Sequence, residues 1–105
     1  MADQSPSSLD LEKAGRGRYR LSGELVFGTA EQALTLSQSL DFATTVELDL
    51  SGVKRVDSAG LAVMVEWWRR CQAAGGQLKL GEIPEQLKAL IRISQLDSVF
   101  GDLGG

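Results

Sequence analysis

The stretch V-E-L-D-L-S-G-V-K-R-V-D-S-A-G-L-A-V-M-V, residues 46–65, decides the fold of this chain. Its first part alternates, with Val46, Leu48 and Leu50 on one face and acidic residues between them, which is typical of a β-strand. Its last part passes through a short polar loop into a helix that we predict over residues 58–74, ended by two glycines. The segment therefore predicts a buried strand over residues 45–50, ended by Ser51-Gly52, and a loop that leads to the first turn of a helix.

Patterns on both sides of this stretch predict further elements. Thr29, followed by Gln32, is expected to cap a helix. Another helix should begin near Pro84, where the missing N–H of proline has no cost. A period of two in the apolar residues Tyr19, Leu21, Leu25 and Phe27, and again in Leu78 and Leu80, predicts three short strands, at residues 19–22, 25–29 and 77–80. The dipeptide Ser22-Gly23 is predicted to form the turn between the first two.

The order of these elements predicts the fold class. Since strands that alternate with helices form right-handed parallel crossovers, we expect an α/β domain with one mostly parallel sheet of about four strands. An N-terminal hairpin would precede the parallel part, and three or four helices would pack against the sheet. We expect residues 1–15 to be a flexible tail and residues 16–105 to be a single domain.

Composition argues against several classes of protein. The chain has 105 residues, of which 43% are hydrophobic and 24% charged, as in an ordinary globular domain. The net charge of −3 disfavours a nucleic-acid partner. Since there is no histidine and one cysteine, Cys71, we expect no metal site, no cofactor and no catalysis. No apolar run approaches the ~20 residues that span a membrane, and we expect no secretory signal and no membrane insertion.

The predicted helix over residues 58–74 has more apolar residues than one face can hold. At ~100° per residue, Val63 and Trp67 fall outside the arc that we expect to cover the sheet. Two consecutive tryptophans cannot both point into one small core, so we expect Trp67 to be exposed as an anchor for a partner. The alternative is that Trp67 covers a strand edge or the hairpin. The predicted core arc consists of Leu61, Met64, Val65, Trp68 and Cys71.

The loop Asp57-Ser58-Ala59-Gly60 is the candidate functional segment. A helix start has unpaired N–H groups and the positive end of the helix dipole, so a phosphate on Ser58 would be stabilised there. Ala59 and Gly60 are small, so the backbone of another protein can approach closely. The same residues also fit a helix cap with no further role, and the two interpretations are compatible.

Two segments resemble the STAS domain, the fold of anti-sigma-factor antagonists. They are L-S-G-E-L-V-F-G-T-A-E-Q-A-L, residues 21–34, and L-D-L-S-G-V-K-R-V-D-S-A-G-L, residues 48–61. The resemblance extends over residues 17–100. Within the family, the short hairpin start and the Gly-Leu-Ala after the loop are similar to the small STAS subunit of the Mla phospholipid-transport ABC complex.

That resemblance implies a function and a partner. The chain would bind and support the ATPase subunit of an ABC transporter that maintains outer-membrane lipid asymmetry. It would be cytoplasmic and associated with the inner membrane only through that partner. The residues predicted to bind the partner are Asp57, Ser58, Ala59, Gly60, Val63 and Trp67.

A second function remains open within the same family. Anti-sigma-factor antagonists carry a serine at this position that a partner kinase phosphorylates, and Ser58 matches it. Members of the Mla group often have threonine there, so Ser58 departs from their pattern. The alternative prediction is therefore an antagonist that is switched by phosphorylation of Ser58, with an anti-sigma-factor kinase as its partner.

Overall fold

The computed structural model describes residues 8–100, which form one four-stranded sheet with helices packed against it. Its strands, in their order across the sheet, are β1 (Leu9–Gly15), β2 (Arg18–Leu25), β3 (Thr45–Val56) and β4 (Gln77–Gly81). Its helices are α1 (Ala30–Leu36), α2 (Ser58–Ala74), α3 (Glu85–Ile93) and α4 (Asp97–Phe100). β1 pairs with β2 in antiparallel fashion, and the other two pairings are parallel. The predicted α/β class, with its hairpin and mostly parallel sheet, is confirmed.

The connections between the strands place the core on one face of the sheet. The crossovers β2–α1–β3 and β3–α2–β4 both advance in the same direction across the sheet. Because such crossovers are right-handed, α1 and α2 lie on the same face. The other face is polar and carries Arg18, Arg20, Glu47, Asp49 and Lys79. Within residues 8–100, no helix has the length and apolarity that a membrane span requires.

The N-terminal hairpin begins earlier than predicted. Residues 9–15, which we assigned to the flexible tail, form β1, and its Leu9 is buried. The alternation of Leu9 and Leu11 is a strand pattern that the charged residues after them obscured. Residues 1–7 of the predicted tail lie outside the described residues.

As a consequence, the glycine that was predicted to form the turn lies inside a strand. β1 and β2 are joined at Gly17, which has a φ of 70°. Gly23 lies within β2 with a φ of 107°, opposite Leu9, and a Cβ there would collide with the carbonyl of Ser8. The two predicted strands around Gly23 are therefore one strand, which ends at Leu25.

The central segment follows the prediction more closely. α2 covers residues 58–74, and Gly75 ends it in the left-handed region with a φ of 88°. β3 continues past Ser51-Gly52 to Val56, six residues further than predicted at its carboxyl end. A Cβ on Gly52 would press against Ser22 of the neighbouring strand. This glycine therefore permits the close approach of β2 and β3, and it does not interrupt β3.

Candidate functional site

The predicted loop lies where two neighbouring parallel strands end. Leu25, the last residue of β2, pairs with Val56, the last residue of β3. The chain continues from β2 into a turn over residues 26–29 and from β3 into Asp57 and helix α2. The two connections therefore lie side by side at the carboxyl edge of the sheet, where parallel sheets commonly place binding sites.

Asp57 links these two connections through its carboxylate. Oδ1 accepts a hydrogen bond from the backbone N–H of Gly60 at 3.0 Å, which caps α2. Oδ2 accepts a hydrogen bond from the backbone N–H of Phe27 at 3.1 Å, which belongs to the other connection. The capping interpretation of Asp57 is confirmed. In addition to capping α2, the carboxylate binds the connection that follows β2.

The environment of Asp57 keeps its carboxyl group ionised. Burial raises the pKa of this carboxyl, but hydrogen bonds from the backbone amides of Gly60, Phe27 and Ala59 lower it. The positive charge of Arg55 lowers the pKa as well, and the net result lies below the usual value. At neutral pH the carboxylate is therefore a charged acceptor for both connections.

The first turn of α2 presents small side chains at its surface. Ser58 is exposed at the first position of α2, Ala59 is half-buried, and Ala62 is exposed one turn further along the helix. At the ends of the two strands, Nη1 of Arg55 lies 3.9 Å from Oε2 of Glu24. The result is a surface without bulky side chains around the hydroxyl of Ser58. The backbone of another protein can approach this surface closely.

Gly60 is placed inside the protein and not on this surface. It is buried, and a Cβ at this position would collide with the backbone carbonyl of Leu25. The absence of a side chain therefore lets α2 pack directly against the end of β2. Gly60 serves the fold of the site and has no surface to offer to a partner.

The expectation that Trp67 is exposed is wrong. Trp67 is 0% exposed and Val63 is 5% exposed, whereas Trp68 is half-buried. Relative to the predicted arc, the buried face of α2 is turned by about 60° at ~100° per residue. The buried residues of α2 are Gly60, Leu61, Val63, Met64, Trp67 and Cys71.

The contacts of α2 explain why this face is buried. Gly60 lies at the centre of the buried face and is held against Leu25. On one flank, Arg70 lies 3.5 Å from the hydroxyl of Ser37 and 5.9 Å from the ring centre of Phe42, so the segment after α1 covers that side. This lateral contact extends the buried face of α2 towards Val63 and Trp67. The period of the apolar residues along α2 could not predict it, because it involves residues outside the helix.

A large exposed side chain does lie beside Ser58, and it is Phe27. Phe27 was predicted to lie in a strand over residues 25–29, in the same apolar set as Leu25, but it begins a 3-10 turn (Phe27–Thr29) and is 81% exposed. The sequence carries only a partial signal: Leu25, Val26 and Phe27 are consecutive, and successive residues of a strand cannot all face the same side. This pattern shows that one of the three leaves the core but does not identify Phe27.

Other chemistry is not assembled in the described part of the chain. No three histidine, cysteine, aspartate or glutamate side chains of residues 8–100 are close enough to hold a metal ion. Cys71 is buried, and its burial raises the pKa of the thiol. A groove of about 550 Å³ on the open face of the sheet is lined by charges of both signs, among them Arg18, Glu47 and Lys79, and does not include Ser58.

Comparison with known proteins identifies the kind of domain. The family model described as Mlab, STAS domain, matches residues 10–103. No curated protein matches the chain. A putative anti-sigma factor antagonist from Thermotoga maritima aligns over 88% of this chain and 82% of its own, with 19% identity and a TM-score of 0.72.

Two further solved structures are similar. The Bacillus cell fate determinant SpoIIAA in its phosphorylated form aligns over 90% of each chain, with 20% identity and a TM-score of 0.64. At such identities the likeness concerns the fold alone. Mglu shares 34% identity over 73% of this chain, with a TM-score of 0.55, but this chain spans only 20% of the length of Mglu.

Proposed function

This chain belongs to the STAS-domain family described as Mlab, and on that premise we propose that it is a non-enzymatic interaction subunit of a transporter. It binds and supports the ATPase subunit of an inner-membrane phospholipid-transport ABC complex that maintains outer-membrane lipid asymmetry. It is cytoplasmic and reaches the membrane only through this partner. The binding residues in this proposal are Asp57, Ser58 and Ala59, the members of the predicted set that remain accessible.

One observation carries this proposal. The first turn of α2 has an exposed hydroxyl and small side chains, and Asp57 ties it to a second loop at the edge of the sheet. A rigid surface of this kind, without bulky side chains, permits close approach of another polypeptide and offers backbone and hydroxyl groups for hydrogen bonds. Binding of another polypeptide is therefore the activity that this geometry supports best.

The proposal is tested with the purified ATPase subunit and isothermal titration calorimetry. Ser58→Arg should weaken binding by at least about tenfold, because a long charged side chain prevents close approach at the interface. Ser58→Ala should change the affinity by less than about threefold. The matched control is Ser98→Arg, since Ser98 is also exposed and also follows an aspartate, at α4.

The two outcomes that oppose the proposal are distinct. Unmeasurable binding by the unmodified chain would exclude the ATPase subunit as the partner. Equal binding by the Ser58→Arg and Ser98→Arg variants would place the interface elsewhere on the chain. Circular dichroism of each variant establishes that a loss of affinity is not a loss of folding.

The second candidate function is an anti-sigma-factor antagonist switched at Ser58. The observation that favours it is the exposed hydroxyl at the first position of α2, together with the fold shared with SpoIIAA, an anti-sigma factor antagonist solved in unphosphorylated and phosphorylated forms. A phosphate there would add about 1.5 to 2 negative charges at a helix N-terminus. Incubation with an anti-sigma-factor kinase and ATP should then yield phosphate on the Ser58 peptide by mass spectrometry, and none in Ser58→Ala.

A further inference from the structure

A phenylalanine protrudes from the surface next to Ser58. Phe27 is 81% exposed, although its neighbour Val26 is buried. A phenylalanine that stays in water does not gain the hydrophobic free energy that its burial would provide. Where the surrounding structure nevertheless holds such a side chain in an exposed position, it indicates a binding surface. Among residues 8–100, the only other large hydrophobic side chain exposed to this extent is Ile93, at the end of α3.

The turn that carries Phe27 is held from the inside by Thr29. Thr29 is 1% exposed, and its Oγ1 accepts a hydrogen bond from the N–H of Val26 at 3.0 Å. The same hydroxyl donates to the carbonyl of Glu24 at 2.6 Å. The backbone N–H of Thr29 closes the turn with a bond to the carbonyl of Val26 at 3.0 Å. The turn is therefore fixed to the end of β2.

The same turn is held from the other side by Asp57. Its Oδ2 accepts the hydrogen bond from the N–H of Phe27, and its own N–H donates to the carbonyl of Leu25 at 3.3 Å. Asp57 also caps α2, which begins at the residue after it, Ser58. The backbone of Phe27 therefore has a fixed position relative to Ser58. An apolar side chain on a rigid backbone loses little conformational entropy when a partner covers it.

We propose that Phe27 is the anchor residue of the partner-binding surface and that Asp57 is the positioning residue that holds it beside Ser58. Phe27 enters an apolar pocket of the ATPase subunit while the backbone of that subunit lies over Ser58 and Ala59. The two sites are continuous, since one carboxylate joins them. This inference rests on the proposed function, because it concerns the same surface and the same partner.

The anchor is tested by calorimetric titration with the purified ATPase subunit. Phe27→Ala should weaken binding by at least about 30-fold, as truncation of an aromatic anchor does. The matched control is Ile93→Ala, which removes an equally exposed hydrophobic side chain elsewhere and should change the affinity by less than about twofold. Equal losses in both variants, or retained binding by Phe27→Ala, would overturn the inference.

Failure of the inference is distinguishable from failure of the proposed function. If the unmodified chain binds the ATPase subunit and Phe27→Ala binds equally well, only the inference is overturned. If the unmodified chain does not bind, both are overturned. Sedimentation of the chain alone covers a third outcome: a dimer that Phe27→Ala dissociates would assign Phe27 to a second copy of this chain and overturn the inference.

The positioning role of Asp57 is tested separately. Asp57→Asn keeps an oxygen that can cap α2 but loses one of the two acceptors, so binding should weaken by about fivefold. The amide proton signal of Phe27 should shift in the NMR spectrum of the free variant. In the Phe27→Ala background the same substitution should cost almost nothing further. Asp57→Ser, a second good cap, replaces the asparagine variant if that variant does not fold.

Two results would contradict the positioning role. Losses that add up in the double variant would show that Asp57 does not act through Phe27. An unchanged Phe27 amide signal in Asp57→Asn would show that the hydrogen bond does not hold the turn. Neither readout responds to a general loss of stability, which thermal unfolding of each variant reports separately.

Discussion

At the scale of single residues, the site depends on one buried hydroxyl. Thr29 was expected to cap α1, and α1 does begin directly after it, but its side chain makes no cap bond to that helix. Instead its hydroxyl satisfies Val26 N–H and Glu24 C=O, two backbone groups at the end of β2. Because buried backbone groups without partners are costly, this hydroxyl fixes the turn that carries Phe27.

Replacement of Thr29 by valine should therefore destabilise the protein. Thr29→Val keeps the shape of the side chain but leaves Val26 N–H without an acceptor, which should lower the free energy of unfolding by about 1–3 kcal/mol. The matched control is Thr35→Val, which removes an exposed hydroxyl bonded to the carbonyl of Glu31 and should cost less than about 0.5 kcal/mol. Urea denaturation measures both values, and equal stability of the two variants would contradict the argument.

Residues of the site were predictable only where local chemistry decides their position. Asp57 at the helix start and buried Cys71 follow from local pattern, and both are confirmed. The exposure of Trp67 was predicted wrongly and that of Phe27 was not predicted, because neighbouring elements decide both. The turn at the end of β2 directs Phe27 outwards, and the close contact of Gly60 with Leu25 turns Trp67 inwards.

At the scale of elements, α2 is fixed by a contact that helix propensity opposes. Gly60 lies in the first turn of α2, where alanine would favour the helix by about 1 kcal/mol. A Cβ at this position would, however, collide with the carbonyl of Leu25 at the end of β2. The helix can therefore lie where it does only if residue 60 has no side chain, and the position of Ser58 follows from this packing.

Helix propensity and packing against Leu25 predict opposite changes in stability for the same substitution at Gly60. Gly60→Ala should lower the free energy of unfolding by about 1–3 kcal/mol or more, since overpacking against a rigid backbone outweighs the gain in propensity. The control is Gly28→Ala, where a Cβ meets no atom within 4 Å, and there stability should stay equal or rise by up to about 1 kcal/mol. A Gly60→Ala variant more stable than the unmodified chain would contradict the contact.

The elements themselves were predicted to different degrees. α2 was placed correctly at both ends, because an aspartate cap and a pair of glycines mark them. β1 was missed, since two leucines among charged residues give a weak strand signal, although its hairpin with β2 is a local pairing. The sequence pattern predicts a turn at Gly23, because sequence does not distinguish a glycine in a turn from one in a strand that touches a neighbouring backbone.

At the scale of the whole molecule, a single core joins all the main elements. Leu9 of β1, Leu48 of β3, Met64 of α2 and Ile91 of α3 belong to one cluster of buried residues on one face of the sheet. In a domain of this size, such a cluster leaves no part with a core of its own. We therefore expect the chain to unfold as one cooperative unit, with α2 as a central part of it.

Cys71 reports this cooperativity directly. It is 0% exposed on the buried face of α2, so a thiol reagent reaches it only when the helix leaves the sheet, and its raised pKa further lowers the thiolate fraction. Labelling of Cys71 should be slower than that of an exposed thiol by about the equilibrium constant of unfolding. The exposed reference is Ala73→Cys in a Cys71→Ala background, since Ala73 lies on the solvent side of the same helix. If urea accelerates labelling of Cys71 with the slope of global unfolding, α2 opens only with the whole domain, whereas rapid labelling without urea would show that α2 separates from the sheet by itself.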